Sequence, residues 1–142
     1  MNERATSSRN VAGAEEPIVY VVDDDAENSH AITLTLQEHM IQTATSQDPS
    51  CALLELASER FDLIFLDVVM PEMDGFELCK HIRELPLHAE TPIVFLTGLN
   101  SAENRVQSSL SGGNDFVGKP FNLSELCVKA LTLILKAQLP QA

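Results

Sequence analysis

Short runs that are apolar throughout recur along the chain, spaced so that one helix fits between each pair. They are Ile18–Val22 (IVYVV), a weaker run over Ile41–Ala44, Leu63–Leu66 (LIFL), Ile93–Leu96 (IVFL) and Phe116–Val117. The stretches between them carry apolar residues three and four apart, as in Phe76, Cys79 and Ile82, or Leu123, Leu126, Cys127, Ala130 and Ile134, which is helical periodicity. A strand without polar alternation is covered on both faces, and alternation with helices implies right-handed crossovers and parallel pairing. The expected architecture is α/β: a doubly wound five-stranded parallel sheet with five helices. No internal repeat and no second domain is visible.

In such a sheet the loops at the carboxyl ends of the strands share one edge, and ligands bind there. Asp23, Asp24 and Asp25 follow the first run, Asp67 the third, Thr97 and Gly98 the fourth, and Lys119 and Pro120 the fifth. Three carboxylates at neighbouring strand ends (Asp23, Asp24, Asp67) repel unless a cation lies between them, and hard oxygen ligands suit Mg²⁺. A phosphoryl group arriving there would meet the metal, the Lys119 ammonium and the Thr97 hydroxyl, the charge neutralisation that phosphoryl transfer requires. Asp67 can be the acceptor, because a carboxylate attacking phosphorus gives an acyl phosphate. Taken singly, each residue is unremarkable: Asp25 is placed to cap the next helix, and Asp74-Gly75-Phe76-Glu77 has the spacing of a capping box. The coincidence of matching chemistry at four strand ends is what makes a site.

Composition narrows the function classes. With 9 Lys+Arg against 21 Asp+Glu the net charge is −12, which disfavours direct contact with nucleic acid or anionic lipid. No apolar run approaches the roughly 18 residues of a membrane span, and the first ten residues lack the apolar stretch of a signal peptide, so a cytoplasmic protein is expected. Cys51, Cys79 and Cys127 fit no metal or redox spacing and are expected as buried free thiols; His30, His39, His81 and His88 are expected on the surface. Residues 1–16, polar and aperiodic, read as a flexible tail, 17–138 as the folded domain, and 139–142 as a C-terminal tail.

The segments IVYVVDDD, LIFLDVVMPEMDGFEL, PIVFLTG and NDFVGKPF together resemble the receiver domain of two-component response regulators, over about Ile18 to Ala137. The combination of DxxMPxMDG with a downstream KPF is highly specific. The resemblance implies a flavodoxin-like receiver fold and a phosphoacceptor signalling module rather than a turnover enzyme. Asp67 would take its phosphoryl group from a phosphohistidine on a sensor histidine kinase or histidine phosphotransfer protein. Asp24, Asp67 and the backbone carbonyl of Val69 would ligate Mg²⁺, with Asp23 holding a metal-bound water. Thr97 and Phe116 match the switch pair, and the Lys119–Pro120 bond is expected cis. A stand-alone regulator, the receiver portion of a larger regulator or hybrid kinase, and a non-phosphorylated interaction module are the alternatives.

Two departures from the family pattern stand out. Val69 and Leu99, each two residues after a site residue, are apolar where many relatives carry polar side chains that orient the hydrolytic water; slow loss of the phosphoryl group is the expected result. Gly98 replaces another small residue and is expected to leave room for the phosphoryl group. Segment 100–113 has few strong helix formers and reads as a marginal helix. On the last helix Val128, Leu131 and Leu135 form a second apolar stripe, expected to serve a partner or a homodimer. Two rivals fail on residues: a haloacid-dehalogenase-type phosphatase needs an Asp where Val69 stands, and no GxGxxG follows the first strand.

Overall fold

Strands and helices alternate along the chain in the computed structural model, which describes residues 16–98 and 102–139, the side chains of 102–104 excepted. The elements are β1 (Ile18–Val22), α1 (Ala26–Gln37), β2 (Gln42–Ser46), α2 (Pro49–Ser58), β3 (Leu63–Asp67), α3 (Gly75–Arg83), β4 (Ile93–Thr97), α4 (Ala102–Ser111), β5 (Asp115–Gly118) and α5 (Leu123–Gln138). A single 3₁₀ turn, Pro86–His88, precedes β4. All strands are parallel, in the order β2-β1-β3-β4-β5, so the chain reverses its direction of growth between β1 and β3. Residues 1–15, 99–101 and 140–142, Leu99 among them, lie outside the described residues.

The uniformly apolar runs are explained by two cores, one on each face of the sheet. Ile18, Tyr20, Val22, Ile64, Leu66, Ile93 and Phe95 face α2 and α3, meeting Ala52, Leu56, Leu78, Cys79 and Ile82. The alternate residues Val19, Val21, Leu63, Phe65, Val94, Leu96 and Val117 face α1 and α5, meeting Ile32, Leu36, Leu126, Cys127, Ala130 and Ile134. Each such side chain contributes about 1.5–3 kcal/mol by leaving water, which makes β1, β3 and β4 the rigid centre. β2 is displaced from the expected Ile41–Ala44 to the polar QTATS segment. It is an edge strand with one neighbour and a half-open face, so β-branched threonines suffice where a central strand needs an apolar run.

Helix starts follow local chemistry. Asp25, Asp48, Asp74 and Asn122 each accept a hydrogen bond from a first-turn backbone N–H, and Pro49 occupies a first-turn position that needs no donor. The segment 100–113 contains the ten-residue α4.

Two expectations about individual residues are corrected. Cys79 and Cys127 are buried, but Cys51 is exposed, because it lies on the outer face of the first turn of α2 beside the capping Asp48. His88 is completely buried rather than on the surface. Its Nε2 donates to the Glu59 carbonyl at 2.8 Å, which leaves Nδ1 to accept from the Thr91 hydroxyl at 2.9 Å. Burial holds its pKa below the ordinary value, with the nearby Arg60 and Arg83 charges acting in the same sense. Arg83 closes the same end of the sheet: its guanidinium donates to the carbonyls of His88, Thr91 and Gly112 and to Asn114 Oδ1.

Candidate functional site

The carboxyl ends of β1, β3, β4 and β5 meet at one edge, and backbone bonds hold them in step. Val68 N–H donates to Leu96 O at 3.0 Å and Lys119 N–H to Thr97 O at 2.8 Å. Asp23 is fully buried, Asp67 is 2% exposed and Asp24 stands at the open rim. A carboxylate oxygen from each of the three lies within 4.8 Å of the others. Lys119, which follows β5, reaches across to place its Nζ 2.9 Å from Asp67 Oδ1 and 3.7 Å from Asp23 Oδ2. The Lys119–Pro120 peptide is cis.

Asp23 is held by donors on its own side. Its Oδ1 accepts from Asp25 N–H at 2.9 Å and its Oδ2 from Asn28 Nδ2 at 3.3 Å. These bonds orient one carboxylate while Lys119 orients the other. Burial raises the Asp67 pKa above the usual carboxylate range; the Lys119 ammonium and the bond to Asp24 work against this, and the Asp23 charge adds to it. Asp24 is raised as well, by partial desolvation and then by its hydrogen bond and charge contact with Asp67. Desolvation alone would lower Lys119, but the surrounding Asp67, Asp23 and Asp24 raise it. One ammonium thus faces three carboxylates, and the excess negative charge suits a hard divalent cation, which would favour the ionised, nucleophilic form of Asp67.

Thr97 is buried at the end of β4. It lines a cavity of about 470 Å³ with Gly98, Phe116, Lys119 and Asn122. A methyl group added at Gly98 would meet nothing within 4 Å, so that glycine leaves the edge uncrowded. Val69 is 68% exposed on the loop after β3. The carbonyl of the preceding Val68 is taken by Gly75 N–H at 2.9 Å.

Several contributors escaped the sequence reading. In the sequence Gly75 reads only as part of a capping-box spacing, in which Asp74 Oδ1 does accept from Glu77 N–H at 2.8 Å. Its larger constraint is steric: a Cβ there would lie 2.3 Å from the backbone oxygen of Asp67. The Asp-Gly pair after the PEM turn was the available signal. Asn28 carried none, because its role depends on α1 folding back beside Asp23.

The stripe on α5 needs correction. Val128 and Leu135 are 62% and 60% exposed, but Leu131 packs against the α1–α5 core. At about 100° per residue Leu131 is rotated some 60° from Val128 toward the core side, enough to bury it partly. The exposed apolar side chains nearest in sequence are Val106 and Leu110 of α4 and Leu139.

Comparison with known proteins agrees with this geometry. The family model of the response regulator receiver domain matches residues 19–131. The heme response regulator HssR of Staphylococcus haemolyticus is 30% identical over 119 residues, covering 84% of this chain and 52% of that protein. Response regulator PleD of Caulobacter vibrioides is 35% identical over 104 residues, covering 73% of this chain and 23% of its own length. The chain therefore spans about half or less of these relatives. Among solved structures, the receiver domain of Francisella response regulator 1452 superposes with a TM-score of 0.80 at 32% identity, covering 87% of this chain and all of that one. Among the described residues no helix is long and apolar enough to cross a membrane.

Proposed function

The chain belongs to the response regulator receiver family, and from that membership we propose that Asp67 is its phosphoacceptor, loaded by a sensor histidine kinase or a histidine phosphotransfer protein. Receivers are phosphoacceptor signalling modules, and response regulators receive phosphoryl groups from histidine kinases. The observation that carries the residue-level reading is the buried Asp67, 2.9 Å from Lys119 Nζ and within 4.8 Å of two further carboxylates.

In the proposed reaction an Asp67 oxygen attacks phosphorus, the new P–O bond forms as the P–N bond to the donor imidazole breaks, and the imidazole keeps the electron pair and is reprotonated. Lys119 leaves its salt bridge to balance charge on a phosphoryl oxygen. The Thr97 hydroxyl donates to another phosphoryl oxygen, and Phe116 follows as its switch partner. Mg²⁺, held by Asp24, Asp67 and the Val69 carbonyl with Asp23 holding a bound water, would neutralise the remaining oxygens. Residues 17–138 act as the receiver unit, in the cytoplasm, as a switch and not as a turnover enzyme. Output runs through proteins or a second copy meeting the last helix, without direct contact to nucleic acid.

The test is intact mass after incubation with acetyl phosphate and Mg²⁺. One base-labile phosphoryl adduct is expected, lost in Asp67→Asn and on chelation; an adduct that survives in Asp67→Asn would overturn the choice of acceptor. Following the adduct over time tests the exposed Val69. Val69→Asn is expected to shorten its lifetime severalfold, and an unchanged decay would remove Val69 from the account of a long-lived signal.

A further inference from the structure

Phe116 carries no hydroxyl, so the only polar feature of its side chain is the negative face of the ring. Two cations from different helices lie within cation–π distance of the ring. The guanidinium carbon of Arg105, on α4, lies 5.4 Å from the ring centroid, and Lys129 Nζ, on α5, lies 5.5 Å from it. Lys129 is pinned in place: its Nζ donates to Phe116 O at 2.7 Å and meets Asp115 Oδ1 at 3.3 Å and Glu125 Oε2 at 3.5 Å. Arg105 is exposed. The ring, both cations and Thr97 line one cavity of about 470 Å³, into which neither Gly98 nor Gly118 projects a side chain.

We propose that Arg105 and Lys129 act as positioning residues, a cation clamp that holds the half-buried Phe116 ring in its place on β5 and sets how readily it moves toward Thr97. The inference rests on the reading of Thr97 and Phe116 as a coupled pair. A ring that turns toward Thr97 has to leave or remake both contacts, so the clamp stabilises the unphosphorylated arrangement and a partner that engages Arg105 releases it. A ligand or modification shifts a two-state equilibrium only by its differential interaction with the two states, and a cation on a ring face at an exposed site changes populations by about two- to five-fold.

The test compares the intact chain with Arg105→Met, which keeps the aliphatic stem and removes the charge from an exposed position. Asp67 labelling by acetyl phosphate is expected to be about two- to five-fold faster in Arg105→Met, because the labelling-competent state is more populated. Simple attraction of the anionic donor by Arg105 has the opposite sign, so a slower or unchanged rate would overturn the clamp. In a Phe116→Leu background the Arg105→Met effect is expected to vanish; the same acceleration there would also overturn it. Aromatic ¹H–¹³C NMR of the unphosphorylated protein reads the ring directly, with Phe116 resonances expected to move in Arg105→Met. If the wild-type chain takes no label, the acceptor reading fails, and the ring resonances alone decide the clamp: unmoved resonances overturn it.

Discussion

A single methylene decides whether α3 can begin where it does. A Cβ on Gly75 would lie 2.3 Å from the Asp67 carbonyl oxygen, so the start of the helix has to retreat from the strand that carries the acceptor. Gly75→Ala is expected to cost about 1–3 kcal/mol in a urea titration, the range for overpacking a tight contact. Because the displaced backbone belongs to Asp67 itself, the same variant is expected to label more slowly than its stability loss explains. A fully stable, normally labelled variant would show that the loop absorbs the methyl group. His88 illustrates the other way a residue can mislead: nothing in its local spacing marks it as buried, yet it is sealed between Glu59 and Thr91.

At the scale of elements, the end of α1 carries visible strain. Met40 has φ 62, and its N–H donates to Gln37 O while Ile41 N–H donates to Leu36 O, a Schellman pattern that glycine normally closes. The left-handed conformation costs an L-residue about 1–2 kcal/mol, and the entropy lost by glycine offsets about half of that. Met40 is 65% exposed and packs little, so Met40→Gly is expected to gain about 0.5–1 kcal/mol, seen as a higher urea midpoint at unchanged slope. On α5, Leu131→Glu is expected to destabilise the fold by about 2 kcal/mol, whereas Val128→Glu stays within about 0.5 kcal/mol and removes any partner contact made by that face. Thermal melts with light scattering separate the two; equal destabilisation would return Val128 to the core.

For the whole molecule, acid sensitivity follows from His88. Its folded pKa is depressed by burial, with Glu59 O acting against and Arg60 and Arg83 acting with the depression. The unfolded chain therefore binds this proton first as pH falls. The stability His88 contributes is fully present above its unfolded pKa near 6.5 and is lost as pH falls through the folded value. Stability is expected to decline below about pH 6.5, with a shallower slope in His88→Gln, in which an amide can still donate to Glu59 O. An unchanged slope in that variant would remove His88 as the cause. Asp67 and Asp24 titrate with the opposite sign, being raised in the folded state, so acid relieves their repulsion rather than adding to the loss.

The fold class was legible because burial on both faces leaves a direct mark: a strand covered by helices has to be apolar at every position, as IVYVV, LIFL and IVFL are. The strand ends then followed by counting, which is why Asp23, Asp24, Asp67, Thr97 and Lys119 could be named from the chain alone. The edge strands were less legible, since β2 is under no such demand and reads QTATS. What only the tertiary structure decided are contacts between residues far apart in sequence: Lys119 on Asp67 across 52 positions, Arg83 on Gly112 across 29, and Arg105 and Lys129 on the Phe116 ring. Periodicity reports which side of an element faces the core. It is silent on which distant side chain arrives there, because that depends on the order in which the strands assemble and on how each helix lies across them.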